Sequence, residues 1–406
     1  MPDQRMKEQL TLKKVGPEYL DQYNELMRYV FQVTRQDITE SGYEVDELLK
    51  TKRPILQRAQ VYGWFNPDDE LVSQVSIYPC QVNIHGKLFN MGGVTGVGTY
   101  PEYANLGLMS DLIKWSLEKM RENHQFVSYL YPYSIPYYRR KGWEIMSDHM
   151  AFTIKDSQLP KTVEVPGHVE RLDVDDEDVI RIYDRFALTN HGALIRSQFE
   201  WDEYWRWEDE DERTAAVYYD RDNQPQGYVF YWIANDIFHI KEMIYLNQEA
   251  RRGLWNFISA HFSMIDNVKG DTYRNEPTAF LLEDGQIQET IEPYYMARVV
   301  DVASFLEFFP FAGVVSPFHF RVTDPVAEWN NGVFGIETGK DGKVRVCRDE
   351  IGNAVELDIQ TLSTMLMSYR RPSYLAKIER LTTDSRTLRL LENIIPDQQP
   401  YFSDYF

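Results

Sequence analysis

The sequence predicts an α+β protein in which helices pack on mostly antiparallel sheets, laid out as two similar units followed by a smaller third domain. Three observations carry that prediction. At 406 residues the chain is too long for one ordinary core, so two or three domains are expected. Alternating, turn-bounded runs that read as strands come in groups, with few helical runs between them. The order short strand, helix, antiparallel strands, helix, strand then occurs twice before position 300. The boundaries read from this order are 1–150, 151–297 and 298–406.

In the first unit a short strand from Gln9 to Leu12 precedes a helix from Glu18 to Phe31, where Leu20, Tyr23, Leu26, Met27, Val30 and Phe31 fall at helical spacing and bury one face. VYGWF and LVSQVSIYP, joined by NPDDE, read as one hairpin. CQVNI and KLFNMGGVTGVGTY, joined by His85-Gly86, read as a second. An amphipathic helix from Leu108 to Met120 and the strand FVSYLYPYS complete the unit. The second unit repeats the order: VERLDV, the helix DEDVIRIYDRFALTN, the strands AAVYYD and GYVFYWI around DRDNQPQ, then IKEMIYL running into RRGLWNFISAHFSMI. Matching Gly107 with Gly253 also pairs Ala104 with Ala250 and Leu108 with Leu254, which points to an internal duplication. Beyond Arg298, FHFRVTDPVAEWNNGVFGIET and KVRVCRDEI alternate around turns, and the helices LDIQTLSTMLMS and PSYLAKIERL follow. The last residues, QQPYFSDYF, are aromatic where a chain end is expected to fray, so the segment is expected to be tucked into protein.

Composition narrows the function. With 63 Asp+Glu against 43 Lys+Arg the formal charge is −20, which repels nucleic acid and anionic membrane surfaces and attracts a cationic small molecule. Only Cys80 and Cys347 are present, the start MPDQRMKEQL lacks a signal peptide's apolar core, and no apolar run approaches the roughly 18 residues of a membrane span. The expectation is a cytoplasmic, thiol-reduced protein. The eight His residues are dispersed and no ligand spacing of a zinc site occurs, so no metal is expected. There is no G-x-S-x-G elbow, P-loop or dinucleotide fingerprint, and the acidic run EDEDE at 208–212 reads as a solvated loop.

Two features remain. GVGTYPEYANLGLMSDL reads as a strand turning into a helix, a place where backbone N–H groups can hold a phosphate, yet it contains no Lys or Arg. Some two dozen residues later comes SIPYYRRKGWE. Together they resemble the GNAT superfamily of acetyl-coenzyme A-dependent N-acetyltransferases. With the repeated unit, TDPVAEWN, VELDIQTLSTMLMS and the final Phe, the whole chain is similar to the enhanced intracellular survival (Eis) family. That resemblance implies a catalytic GNAT domain, a degenerate second one and a sterol-carrier-protein-like third. It also implies acetyl-coenzyme A (acetyl-CoA) as cosubstrate, a primary amine as acceptor and a homo-oligomer, possible as a hexamer.

The resemblance also assigns residues. The turn's usual Arg falls on Ala104, its first Gly is Gly107 and its last small residue falls on Met109, so recognition of the pyrophosphate is expected from backbone N–H groups of Asn105, Leu106, Gly107, Leu108 and Met109 with the helix dipole. Gly107 equally fits an ordinary tight turn. Val97 and Thr99 fall on the strand that meets the pantetheine arm and the acetyl carbonyl, where a bulge can aim backbone N–H groups at an oxyanion. Counting back from Gly142, the general acid falls on Tyr138, a phenol that keeps its proton at neutral pH, with Tyr137 as its neighbour. The base falls on the carboxylate of Phe406. Its reference pKa near 3.5 lies roughly 7 units below that of a lysine-like ammonium, about 9 kcal/mol uphill, so burial or a water relay has to assist it. The competing expectation is an eroded, non-catalytic binding or scaffold protein, of which Ala104 and Met109 would be the marks.

Overall fold

The computed structural model describes residues 4–34, 53–205, 213–273 and 278–406; the acidic run 208–212 lies outside them. The first sheet contains β1 (Thr11–Lys14), β2 (Gln60–Phe65), β3 (Leu71–Ile84), β4 (Lys87–Thr99), β5 (Val127–Leu130) and β6 (Glu144–Ile145). Its helices are α1 (Gln4–Glu8), α2 (Leu20–Val30), α3 (Arg53–Arg58), α4 (Leu108–Glu122) and α5 (Ile135–Arg139). β1 to β4 pair antiparallel in sequence order, and β4 pairs parallel with β5.

Sequence reading breaks the third strand at Pro79, but β3 continues through it. Pairing with β2 ends at Ile77, so the N–H that proline lacks falls on an open edge and costs no ladder bond. β3 and β4 are joined by the two-residue turn His85-Gly86, whose φ angles of 49° and 85° are those of a type I′ hairpin and match the strand twist. α2 buries Leu20, Tyr23 and Leu26 on one side of the sheet, and α4 buries Leu112, Ile113, Leu117 and Met120 in a separate cluster.

The second sheet holds β7 (Asp148–Lys155), β8 (His168–Leu172), β9 (Thr214–Tyr219), β10 (Pro225–Ala234), β11 (Ile237–Tyr245), β12 (Asn267–Thr272) and β13 (Gln288–Pro293). It carries α6 (Glu177–Ala187), α7 (Gln198–Trp205) and α8 (Gln248–Ser259). Strands β8 to β12 repeat the order and directions of β1 to β5, three antiparallel pairings and one parallel. The topology thus supports duplication. The residue match through Gly253 does not hold, because Gly107 precedes the first turn of α4 whereas Gly253 lies inside α8, packed against the Tyr218 ring.

The two units also exchange strands. β7 follows the first unit in the chain but pairs with β12 and β13, and β14 (Met296–Val299) follows the second but sits between β5 and β6. The third sheet, ordered β17-β16-β15-β18-β19, is formed by β15 (Phe318–Thr323), β16 (Gly332–Thr338), β17 (Val344–Cys347), β18 (Asn353–Asp358) and β19 (Leu381–Thr382). With it come α9 (Val302–Phe308), α10 (Ile359–Leu366), α11 (Pro372–Lys377) and α12 (Ser385–Ile394). The segment after α12 has no regular structure, yet Tyr401, Phe402, Ser403 and Asp404 are buried, and Phe402 packs edge-on against Tyr129 of β5 and at a tilt against Tyr295.

Candidate active site

β4 and β5 pair only from Met91 to Gly93 of β4; beyond that point the strands part. One extra residue of β4, at Gly96-Val97, is accommodated opposite Val75, where the ladder slips between Gln74 and Ser76 and Gly96 has φ +58°. A Cβ at Gly96 would meet Ser76 Oγ and the Tyr23 hydroxyl, so glycine is what lets the bulge lie against α2. From Val94 to Thr99 the β5 side of β4 has no strand partner among the described residues. This edge opens on a cleft of about 610 Å³. Val97, Thr99, Met109, Tyr138 and Phe406 all line it, joined by Tyr131, Tyr133, Tyr137, Arg140 and Tyr405, none of which sequence reading placed in the site.

Tyr138 reaches the cleft from α5, a short helix begun by Ser134 and Pro136. Its ring is buried against Trp143 and Tyr137, and burial pushes its phenol well above the usual value. The hydroxyl has no hydrogen-bond partner among the described residues, so it can donate to a group inside the cleft. The turn behind α5 is fixed from β14 of its own sheet and from the third domain. Arg298, wholly buried, donates to the Lys141 carbonyl and pairs with Asp324 at 2.5 Å, and Gly142, at φ +95°, leaves room for its guanidinium. Buried Glu144 joins Arg139 at 2.8 Å to Arg380 at 2.7 Å, and Gln360 donates to the Arg139 carbonyl at 2.7 Å. The general-acid candidate therefore sits on a clamped turn.

Phe406 enters from the far end of the chain. Its N–H donates to the Tyr295 hydroxyl at 3.0 Å. Its ring lies over Gly93, where a Cβ would stand 2.7 Å from the ring edge, and near Tyr78, Tyr295 and Phe402. The aromatic tail is thus an embedded strap, as its composition suggested.

The remaining predicted residues form the start of α4. Gly107 is the N-cap, with φ +79° and no side-chain cap, and Asn105 also has positive φ. Leu106 and Leu108 point inward into a small cluster with Leu10 and Val72, while Ala104, Asn105 and Gly107 are exposed. Among the described residues the first amides of α4 therefore have no side-chain acceptor, the condition for binding an anion there. The loop itself carries no cation, but two lysines stand beside it. Lys7 Nζ pairs with Asp111 at 2.5 Å and lies 3.7 Å from where a Gly107 Cβ would be, and Lys141 Nζ donates to Ser110 Oγ at 2.8 Å. Burial and Arg140 hold the Lys141 ammonium below its usual value. Only the RRK run at 139–141 could have signalled this; Lys7 is brought in by tertiary packing alone.

The second unit differs where it matters. β11 also carries one extra residue, at Lys241, and outlasts its parallel pairing with β12. But the start of α8 is capped from within, Asn247 Oδ1 accepting from the Ala250 N–H at 2.8 Å. The cavity there is about 140 Å³ and is partly walled by Tyr401 of the tail. Among the described residues no group of His, Cys, Asp and Glu is arranged to hold a metal, and no helix is long and apolar enough to cross a membrane.

Comparison with known proteins agrees with this layout. Models of the acetyltransferase (GNAT) domain match residues 11–146 and 192–299, and a model of the sterol carrier protein domain matches 302–403. The curated N-acetyltransferase Eis of Mycobacterium tuberculosis and that of Mycobacterium bovis are each 27% identical over 231 residues, 54% of this chain and 54% of theirs. The match thus spans about half the length of those curated relatives. Among solved structures, a conserved protein of unknown function from Enterococcus faecalis, described as a probable N-acyltransferase, superposes with TM-score 0.87 at 29% identity, covering 98% of this chain and 99% of that one. Eis1 from Mycobacterium abscessus, at 18% identity with 98% and 100% coverage and TM-score 0.80, shares the fold.

Proposed function

We propose, from the chain's membership of the Eis-like GNAT family, that it is an N-acetyltransferase that moves an acetyl group from acetyl-CoA to a primary amine by direct attack. The observation that carries this reading is the convergence, in one cleft, of the open β4 edge, the Tyr138 hydroxyl and Phe406, beside an uncapped helix start. The residues fit the cosubstrate. Amides from Asn105 to Met109, helped by Lys7 and Lys141, would hold its pyrophosphate, and Val97 and Thr99 would pair along its pantetheine arm. When bound, acetyl-CoA supplies an activated thioester carbonyl.

Backbone N–H groups at the Gly96-Val97 bulge would receive the carbonyl oxygen as it gains charge. The Phe406 carboxylate accepts the proton that the amine nitrogen loses as its bond to the acetyl carbon forms. Tyr138 gives its proton to sulfur as the C–S bond breaks. Because a phenol is already a weaker acid than a thiol (about 10 against about 8.5) and burial raises this one further, that transfer must run together with bond cleavage rather than before it. Clamping of α5 then serves to keep the hydroxyl aimed.

The acceptor is read as cationic from the charge of −20, with polyamines, aminoglycoside-like compounds and lysine side chains all admissible. We assign catalysis to residues 1–150, a degenerate GNAT-like role to 151–297 and the tail-bearing domain to 298–406, in a cytoplasmic homo-oligomer. A thermal-shift titration with CoA and acetyl-CoA tests the reading, since a ligand that binds only the folded state raises the melting temperature by mass action. Absence of any shift would leave the non-catalytic scaffold as the better account.

A further inference from the structure

The tail reaches the cleft through an ion cluster that the reaction itself does not use. Arg196, just before α7, is buried with its side chain fully enclosed. Its Nε donates to Asp404 Oδ1 at 2.7 Å, its Nη2 to Ser403 Oγ at 3.1 Å and to Glu242 Oε1 at 3.2 Å. The guanidinium is also packed over the rings of Tyr183, Tyr204 and Trp201, with its carbon 3.8, 4.0 and 4.5 Å from their centroids. Glu242 accepts from Tyr228 at 2.7 Å and from the tail's own Tyr401 at 2.8 Å, and Ser403 donates to it as well. Asp404 is held again through its carbonyl, which accepts from the Tyr294 hydroxyl at 2.9 Å.

Arg196, Glu242 and the aromatic rings around the guanidinium all belong to the second unit, and Glu242 is the residue after the β11 bulge. We propose that this unit, in place of a second catalytic site, anchors the tail, and that Arg196 is a positioning residue that sets where the Phe406 carboxylate stands. Two carboxylates share one guanidinium in a buried site, so the cluster holds only while all its members are present. Removing the cation leaves two uncompensated buried charges, and the one on the tail can escape to water by leaving. Phe406 is two residues beyond Asp404, about 7 Å of chain at full extension, too short to absorb a shift of the anchor. The proposal rests on Phe406 being the base.

The test compares wild type with Arg196→Met, Arg196→Lys and Asp404→Asn. Release of Phe406 and Tyr405 by a carboxypeptidase, followed by mass spectrometry, reports the tail directly; steady-state acetyl transfer to spermidine, an aminoglycoside and a lysine peptide reports catalysis. Trimming is expected to accelerate about tenfold or more in Arg196→Met and Asp404→Asn and less in Arg196→Lys. kcat should fall on the order of 10²-fold, the cost of about 1 Å of misplacement, with KM for acetyl-CoA nearly unchanged. Asp404→Asn alters the tail alone, so it carries the test if Arg196→Met does not fold. Trimming at the wild-type rate in both overturns the anchor. Faster trimming with unchanged kcat would instead leave the anchor standing and overturn Phe406 as base.

Discussion

A single methyl group at Gly93 tests the placement of Phe406 most directly. The Cβ of Gly93→Ala would stand 2.7 Å from Phe406 Cε2 and 2.9 Å from Cζ. Carbon atoms in contact settle at roughly 3.5–4.0 Å, so the ring has to retreat by about 1 Å. It can do so cheaply, because it is half-buried and lines the open cleft. Gly93 has an ordinary negative φ, so alanine also restrains the unfolded chain, stabilising by about 0.4–1 kcal/mol against an overpacking cost of about 1–3 kcal/mol. The expected result is a melting temperature within a few degrees of wild type and a kcat lower on the order of 10²-fold. Gly92→Ala is the matched control. Its Cβ would stand 2.4 Å from Met120 Sδ, in the α4 core and away from the tail, so it should lower stability while folded protein keeps its turnover. Unchanged turnover in Gly93→Ala, with the protein folded, would refute the role given to Phe406.

Three further outcomes are expected. Tyr138→Phe should lower kcat about 10²–10⁴-fold with little loss of stability, whereas Tyr137→Phe should do far less; steady-state kinetics on both variants decides, and the reverse ranking would unseat Tyr138. Ala104→Arg places a guanidinium on an exposed site before the α4 amides and should tighten acetyl-CoA binding by about 1.5–3 kcal/mol, read by calorimetry; an unchanged Kd would mean that the phosphates are held elsewhere. The third concerns His85, stacked on His191 at 3.6 Å with its Nε2 on the Leu366 carbonyl at 3.0 Å; burial, with Arg371 also opposing its charge, brings its pKa down to about 4. A lowered histidine binds protons preferentially in the unfolded chain, so stability should fall by about 2–3 kcal/mol as pH drops from above 6.5 to 4, and His85→Gln should flatten that slope in denaturant titrations.

Local pattern made much of this fold readable. The α2 and α4 helices fall within two residues of their expected spans because their apolar faces and glycine boundaries are local signals. The exchange of β7 and β14 between sheets was not readable, since a strand's composition does not say which sheet receives it. The same limit explains Gly253: three identities suggested an equivalence that the helix register denies, while the actual equivalence lies in strand order and bulges. In the site, Tyr138, Phe406 and the Gly107 turn came from motif resemblance. Lys7, Arg196 and Tyr295 could not, because each acquires its role from a partner more than a hundred residues away or on a separate helix, and no spacing rule connects them.

The two units make the case for a division of labour between copies of one topology. Each has a bulged strand parting from a parallel neighbour and running towards a helix start, so backbone architecture alone would give each a cofactor site. What separates them is how their polar groups are occupied. In the first, Gly107 offers the α4 amides no side-chain acceptor, and Lys7 and Lys141 stand beside them. In the second, Asn247 takes up an α8 amide, and Glu242 is committed to Arg196, Tyr228 and the tail. A helix start that has already satisfied its donors gains less from an anion, and a carboxylate locked in a buried ion cluster is not free to serve a substrate. On this reasoning the missing loop arginine at Ala104 is not by itself a mark of lost function. What distinguishes the units is the helix start itself: in the second an α8 amide has found a side-chain acceptor within the chain, and in the first, among the described residues, the α4 amides have not.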